Sequence, residues 1–371
     1  MLVSSFFLKG CKCTHNNGFY NTLINKNIDK SNSLQNPYST LLLDWYDKNK
    51  RDLPWRTDNT PYQVWLSEII LQQTQVKQGL PYYLKITESF SSIKKLAKCE
   101  QEEFNTYWQG LGYYSRARNL LKCAKSIVDN HNGQFPDNYN DLVKLPGIGP
   151  YTAAAIASIC FNEAVVALDG NLTRVLSRLI AFNEDAFTNK AKKELIRFGE
   201  QIIDPKRPGD FNQALMDLGA NICTPKNPKC DACPFLELCE AQKQNLAAQL
   251  PLKTRKQKQT AVTIDYFIII RGNKIGLRKR TENIWNGLYE FPGNWIEKGE
   301  IKNPSNYIKT GNEILIESRK HLLTHKKMII NFHLGTGDYK DLIWVNKNEL
   351  QDYSFPQVIL DFMNDKIGDL F

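Results

Sequence analysis

Four cysteines fall within the seventeen residues CTPKNPKCDACPFLELC (223–239), at spacings of six, two and five. Reactive exposed thiols are a liability, so Cys223, Cys230, Cys233 and Cys239 call for a ligand that organises the whole segment. The chain holds nine cysteines, an odd count with four of them in one loop. That argues against a secreted disulfide framework and for a reduced compartment with one metal site. Four-cysteine zinc sites usually show two paired CxxC knuckles, and only one is present here. The lopsided spacing suits a 4Fe–4S cube, in which each of four irons takes one thiolate. A shell closed by four thiolates points to structure rather than redox catalysis. Lys226 and Lys229, in the first gap, stand where they could touch phosphates.

The pattern around this loop is helical from Tyr38 to about Ala248. STLLLDWYDKN, PYQVWLSEIILQQTQV, SIKKLAK, RARNLLKCAKSIVDN, GPYTAAAIASICF, LTRVLSRLIAF and DFNQALMDLGANIC repeat apolar residues every three or four positions. Residues 249–261 are basic and poor in apolar side chains, as in a linker. The texture then changes: AVTIDYFIIIRGNKIGLRKR reads as two strands joined at Gly-Asn, and MIINFHLGTG and DLIWVN are strand-like too. The expected architecture is mainly α, with a helical domain over 38–248 followed by a smaller α+β domain over 262–371. Residues 1–37 are compatible with a targeting segment, a disordered tail or an upstream start; the reading taken is a disordered tail. No run of eighteen apolar residues predicts a membrane span. Lys and Arg outnumber Asp and Glu by 48 to 39, and the net charge of +9 favours a polyanionic partner.

Three sites carry possible chemistry. LPGIGPYTAAAI (145–156) predicts a helix, a Gly-x-Gly turn and a second helix; Gly147 and Gly149 free backbone N–H groups for a phosphate oxygen. Glu68 has Val64, Trp65 and Leu71 among its helical neighbours, so its carboxylate is either partly desolvated, as a general acid requires, or at the edge of the apolar stripe with its head in water. Asp169, in LDGNLTR, precedes a helix and reads first as an N-cap.

Together these residues identify a family. VWLSEIILQQTQV, GLGYYSRARNL, LPGIGPYTAAAI, LDGNLTRV, FNQALMDLGANIC and the six-two-five cysteines resemble the MutY adenine DNA glycosylases, of the helix-hairpin-helix superfamily that includes endonuclease III. The resemblance runs from about Tyr38 to the C-terminus. It implies a helix-hairpin-helix glycosylase domain with a 4Fe–4S cluster on the four cysteines, and excision of adenine opposite 8-oxoguanine or guanine in duplex DNA. The adenine must be flipped out of the stack to be reached. Glu68 matches the general acid that protonates adenine, and Asp169 the carboxylate that stabilises the sugar cation, through space or by bonding to it. Asn171 matches the residue that holds Asp169. Tyr151 stands where bifunctional relatives carry a lysine nucleophile; a tyrosine forms no Schiff base, so strand cleavage is not expected, and Tyr151 instead matches a catalytic residue that assists at the sugar.

Gln73 and Tyr113 match residues that enter the duplex, Tyr113 as a wedge. Arg56, Arg116 and Arg118 are candidate phosphate contacts, with a solvated helix face as the ordinary alternative. The C-terminal domain resembles the MutT/Nudix-like domain of the family, keeping its W-x-G-L-x-E-F-P core at 285–292. Residues 293–320 lack the glutamate-rich box that binds magnesium in hydrolases of that fold. Leu323-Thr324-His325 matches the loop that reads 8-oxoguanine, with leucine in place of an aromatic. The expected state is a monomer on DNA inside the cell, in cytoplasm or nucleoid if bacterial. Two other readings remain: an endonuclease III-like lyase for oxidised pyrimidines, and a lesion binder without activity.

Overall fold

Helix starts in the first part of the chain are set by prolines and polar caps. Asn36 accepts from the Tyr38 N–H at 3.0 Å and Pro37 supplies a helical φ at the first position. Pro54, Pro61 and Pro208 open further helices without a side-chain cap. In the computed structural model, residues 36–254, 259–282, 284–303, 307–309, 313–335, 337–339 and 342–370 are described. The expected tail, apart from its last two residues, and residues 255–258 of the expected linker lie outside them.

In chain order the helices begin α1 (Pro37–Asn49), α2 (Pro54–Thr57), α3 (Pro61–Leu71), α4 (Val76–Ser89), α5 (Ile93–Ala97), α6 (Gln101–Trp108) and α7 (Ser115–His131). There follow α8 (Tyr139–Leu142), α9 (Pro150–Phe161), α10 (Gly170–Leu179), α11 (Asn189–Ile202), α12 (Pro208–Asn221) and the short α13 (Glu240–Lys243). All seven expected helical stretches are helical. Six of these helices, α2, α4, α6, α8, α11 and α13, lie outside them, and α4 and α11 are the longest of the six. α4 carries Pro81, which removes a backbone donor and ordinarily breaks a helix. Packing overrides it: Tyr83 and Ile86 are buried, and a Cβ on Gly79 would meet Leu71 Cδ2 at 2.8 Å. In α11 the apolar Ala191, Leu195, Phe198 and Ile202 are separated by charged residues that dilute the pattern.

The chain divides into two compact units that interleave in sequence. The first gathers residues 36–59, 137–140 and 150–254. Its core joins α1 (Leu42, Tyr46), α10 (Leu172, Leu176), α11 (Leu195, Phe198) and α12 (Phe211, Leu215), and takes in Phe235 from the cysteine loop. The second gathers 60–136, 141–149 and the described residues beyond 254.

In its C-terminal part the second unit holds β1 (Thr260–Ile268), β2 (Ile270–Arg271), β3 (Lys274–Lys279), β4 (Tyr289–Glu290), β5 (Gly293–Glu297), β6 (Glu300–Asn303), β7 (Tyr307–Lys309), β8 (Ile314–Leu322), β9 (Lys326–Leu334), β10 (Gly337–Tyr339) and β11 (Ile343–Asn346). A helix, α14 (Gln357–Lys366), follows. Five strands form one sheet in the order β6-β5-β1-β9-β8, with β1 and β9 parallel and the other neighbours antiparallel. A second sheet has the order β11-β3-β2, with β4 paired to β3, and β7 pairs with β10. The expected Gly-Asn turn joins β2 to β3, with Gly272 at φ +58°. Alternate residues of β1 and β9 (Ile264, Tyr266, Ile330, Phe332) share a core with Ile359 and Phe362 of α14; the rings of Phe332 and Phe362 stack at 4.0 Å.

Candidate active site

Asp169 closes the N-terminus of α10. Its Oδ1 accepts from Leu172 N–H at 2.7 Å, and its carbonyl accepts from the Thr173 N–H and hydroxyl. Its Oδ2 accepts from the Asn171 side-chain amide at 2.8 Å. The cap reading and the anion-holding reading therefore describe one geometry. Burial pushes the Asp169 carboxyl above the usual carboxylate range, against the hydrogen bonds from Leu172 and Asn171 and the charge of Arg174. Desolvation thus outweighs the helix N-terminus that caps it. A desolvated carboxylate gains most from an adjacent positive charge, which is what a developing sugar cation supplies.

Asn171 is held in turn. Its Oδ1 accepts from Arg174 Nη2 at 2.9 Å, and the same nitrogen donates to Gly219 O of α12 at 2.7 Å. Gly219 is required there, since a Cβ would lie 2.7 Å from Asn171 Cβ and 3.2 Å from its Cα. Arg174 Nε reaches the carbonyl of Cys223 at 2.7 Å. One turn on, the buried Arg178 donates from Nη1 to Cys223 Sγ at 3.2 Å and to Thr224 O, and from Nε to Leu250 O. Sequence patterning missed both arginines, because an Arg pair four apart beside an amphipathic stripe reads as solvated. The signal available was their place beside the apolar residues of the helix, Arg174 directly before Val175 and Arg178 directly before Leu179.

Cys223, Cys230, Cys233 and Cys239 line one hollow, together with Arg178 and Leu236, and form no disulfide. Among the described residues, no three Cys, His, Asp or Glu side chains converge on a single metal ion. Four thiols around one shared hollow suit a cluster in which each iron takes one thiolate. Lys226 and Lys229 are exposed beside it.

Tyr151 stands at the second position of α9, half-buried, its hydroxyl 3.9 Å from Met216 Sδ. Glu68, Gln73, Tyr113, Gly147 and Gly149 belong to the second unit. Glu68 lies in the unbroken buried run Val64–Ile70 of α3, which supports the desolvated reading over the solvent-edge one. Gln73 and Tyr113 sit in the turns after α3 and before α7, with φ of +61° and +49°. Gly147 has φ +75°, and a Cβ there would meet Asn119 Cβ at 2.6 Å; Gly149 faces open space.

The Leu323-Thr324-His325 stretch is the tight turn between β8 and β9, closed by Leu323 N–H to Lys326 O at 2.9 Å. Leu323 packs on the C-terminal core, so loss of the aromatic leaves the loop anchored. Thr324 and His325 are exposed, and the Thr324 and Tyr113 hydroxyls share a hydrogen bond of 2.6 Å.

The arginine expectations need correction. Arg56 donates both terminal nitrogens to the buried Asp217 carboxylate, at 2.7 and 2.9 Å, and Arg51 Nε donates to it too. Burial pushes Asp217 up, yet the two arginines hold it below the usual carboxylate range. Arg56 is therefore committed to an internal ion pair rather than presented to a phosphate. Arg116 is buried and bound to backbone carbonyls of its own unit, neither phosphate-facing nor solvated. Arg118 donates to Asn286 O at 2.7 Å.

Residues 66–201 match the model of the HhH-GPD superfamily base excision DNA repair proteins, 223–239 the iron-sulfur binding domain of endonuclease III, and 265–365 the NUDIX domain. An adenine DNA glycosylase of Buchnera aphidicola subsp. Schizaphis graminum is 35% identical over 341 residues, 87% of this chain and 96% of its own. That of Buchnera aphidicola subsp. Acyrthosiphon pisum is 42% identical over 69% of this chain and 73% of its own. The adenine DNA glycosylase of Homo sapiens is 44% identical over 56% of this chain and 40% of its own. The solved structure of a thermostable thymine-DNA glycosylase superposes with a TM-score of 0.52 at 28% identity, covering 56% of this chain and 95% of that one. No described helix is long and apolar enough to cross a membrane.

Proposed function

The chain belongs to the adenine DNA glycosylases, helix-hairpin-helix base excision repair enzymes with a 4Fe–4S cluster, and we propose that it excises adenine paired with 8-oxoguanine or guanine by simple hydrolysis. The observation that carries this reading is the Asp169 site: a carboxylate gripped by a helix N-terminus and an amide, and already short of water. Such a group stabilises a sugar cation more strongly than a solvated one. Glu68, buried on α3, donates a proton to the flipped adenine so that it leaves as a neutral base. The base pair to the opposite strand is lost, and Gln73 and Tyr113 occupy the stack near the lesion while Thr324 and His325 read the 8-oxoguanine. Tyr151 offers no amine for a Schiff base, which supports hydrolysis without strand cleavage. The cluster, on Cys223, Cys230, Cys233 and Cys239, supplies a covalent fastening for the loop rather than electrons. The protein acts as a monomer on DNA inside the cell.

A duplex with a single A:8-oxoguanine pair tests the reading. Free adenine and an abasic site that breaks only in hot alkali are expected. Spontaneous nicking through a borohydride-trapped adduct would make it a lyase instead, and tight binding without base release a lesion binder.

A further inference from the structure

Gln73 and Tyr113 share an unusual backbone. Both have φ in the left-handed region, which residues with a Cβ adopt only where neighbours enforce it. Seven other non-glycine residues among those described also do so, four of them asparagines, the type that tolerates the region best. What sets Gln73 and Tyr113 apart is a common partner. Arg116 Nη1 donates to the carbonyls of Ile69 and Ile70, both at 2.8 Å, and of Gln72 at 2.5 Å. Its Nη2 donates to Leu111 O and Gly112 O, both at 3.3 Å, and points to Thr74 Oγ1 at 3.5 Å.

Two of those acceptors are the peptide groups that immediately precede Gln73 and Tyr113. A carbonyl held at residue 72 or 112 fixes the plane about which the next residue's φ is set. One guanidinium thus anchors both turns, and its plane also lies 5.2 Å from the Trp108 ring centroid and 5.6 Å from that of Tyr113. Arg116 is 8% exposed, and the groups its terminal nitrogens meet are carbonyls and one hydroxyl. Burial lowers it to about 10, so it remains charged near neutral pH and its donors stay strong.

We infer that Arg116 is a positioning residue, which presents Gln73 and Tyr113 to the duplex by fixing the peptide planes before them. This rests on the proposed role of those two side chains as duplex probes. Pre-formed probes spend no free energy on ordering when they meet the lesion, so the gain appears in lesion binding and not in general affinity for DNA. A lysine cannot substitute, since its donors radiate from one nitrogen and do not span two turns.

The test uses the full-length, cluster-loaded protein with Arg116→Lys and Arg116→Gln. Binding is measured to an undamaged duplex and to one with an uncleavable 2′-fluoro-adenosine opposite 8-oxoguanine, with iron content and melting recorded alongside. Parental iron content, undamaged-duplex affinity within about twofold and a lesion preference reduced about tenfold or more are expected in both variants. A parental preference in a cluster-loaded variant, restoration by lysine, or equal loss on both duplexes would overturn the inference. Adding Tyr113→Ala and Gln73→Ala to Arg116→Lys should cost little more than those two changes alone; multiplied losses would count against it. If Gln73→Ala with Tyr113→Ala leaves the preference intact, the duplex-probe reading itself fails and takes the inference with it. A preference lost there but intact in Arg116→Lys overturns only the inference. Should the Arg116 variants not accumulate, Thr74→Val should lower the preference about twofold, and no change would count against the proposal.

Discussion

Asp169 and Tyr113 are both fixed by arginines bound to backbone carbonyls, but they use that support at different depths. Around Asp169 the side chain itself is held: Leu172 N–H, the Asn171 amide and, behind them, Arg174 fix both oxygens of a partly buried carboxylate. Around Tyr113 the arginine holds the root, through the Gly112 carbonyl, while the residue is 49% exposed and its hydroxyl meets only the surface hydroxyl of Thr324. The difference follows from the two tasks. A group that stabilises charge must be desolvated and immobile before the reaction, whereas a group that enters a duplex must be presented outward. Rigidity of the backbone is common to both; burial of the tip is not.

The largest expected effect tests the foundations of the first region. Asp217 is fully buried between Arg56 and Arg51, so Arg56→Met leaves a buried carboxylate with half its support. Stability should fall by about 3 kcal/mol or more, read by denaturant unfolding. The exposed Arg207–Asp47 pair is the contrast, and Arg207→Ala should cost about 1 kcal/mol or less. If the two substitutions cost the same, depth does not organise this region as argued.

Asp169→Asn comes next and acts on chemistry alone. The amide keeps the Leu172 cap but lacks the charge, so single-turnover excision should fall about 10²–10³-fold while lesion binding changes little. Because burial raises the Asp169 pKa, the ionised form is a cost to the fold, and the variant should melt no lower than the parent. A variant that cleaves at the parental rate would remove Asp169 from the mechanism.

How far the two regions were legible in the sequence follows the same division. Helix periodicity, the Gly-Asn turn and the cysteine spacing depend on neighbours in the chain, and the fold they predict is the fold found. Glu68 and Asp169 were assigned through motif resemblance, and their burial follows local patterns. The inward-turned arginines were missed, because Arg174, Arg178, Arg56 and Arg116 donate to carbonyls and carboxylates from 3 to 161 residues away. A charge earns burial only through partners that the fold assembles, and periodicity counts it as polar regardless. Pro81 is the opposite case, where packing absorbs a local penalty inside α4.

Asn171→Ala sharpens the account of how Asp169 is tuned. The Asn171 amide is one of the groups that lower the Asp169 pKa against burial, so its loss raises that pKa further. The protonated carboxyl cannot stabilise a cation. Excision should therefore fail at a higher pH on the acid side in the variant, with the limb displaced upward in a single-turnover pH profile. A downward displacement would mean that the amide does not act on the ionised form.

The smallest effect belongs to the exposed region. Thr324→Ala removes the hydroxyl that meets Tyr113 at 2.6 Å, a hydrogen bond at the surface whose donor and acceptor can both turn to water. Its net worth is about 1 kcal/mol or less, so the preference for 8-oxoguanine over guanine opposite adenine should fall by no more than about fivefold. Thermal stability should be unchanged, because neither hydroxyl is left buried. Thr324→Ser, which keeps the hydroxyl, should restore the preference. If Thr324→Ala instead lowers the melting temperature as Arg56→Met does, the turn between β8 and β9 supports the fold, and the contrast between a buried chemical centre and an exposed reading edge would have to be abandoned at this point.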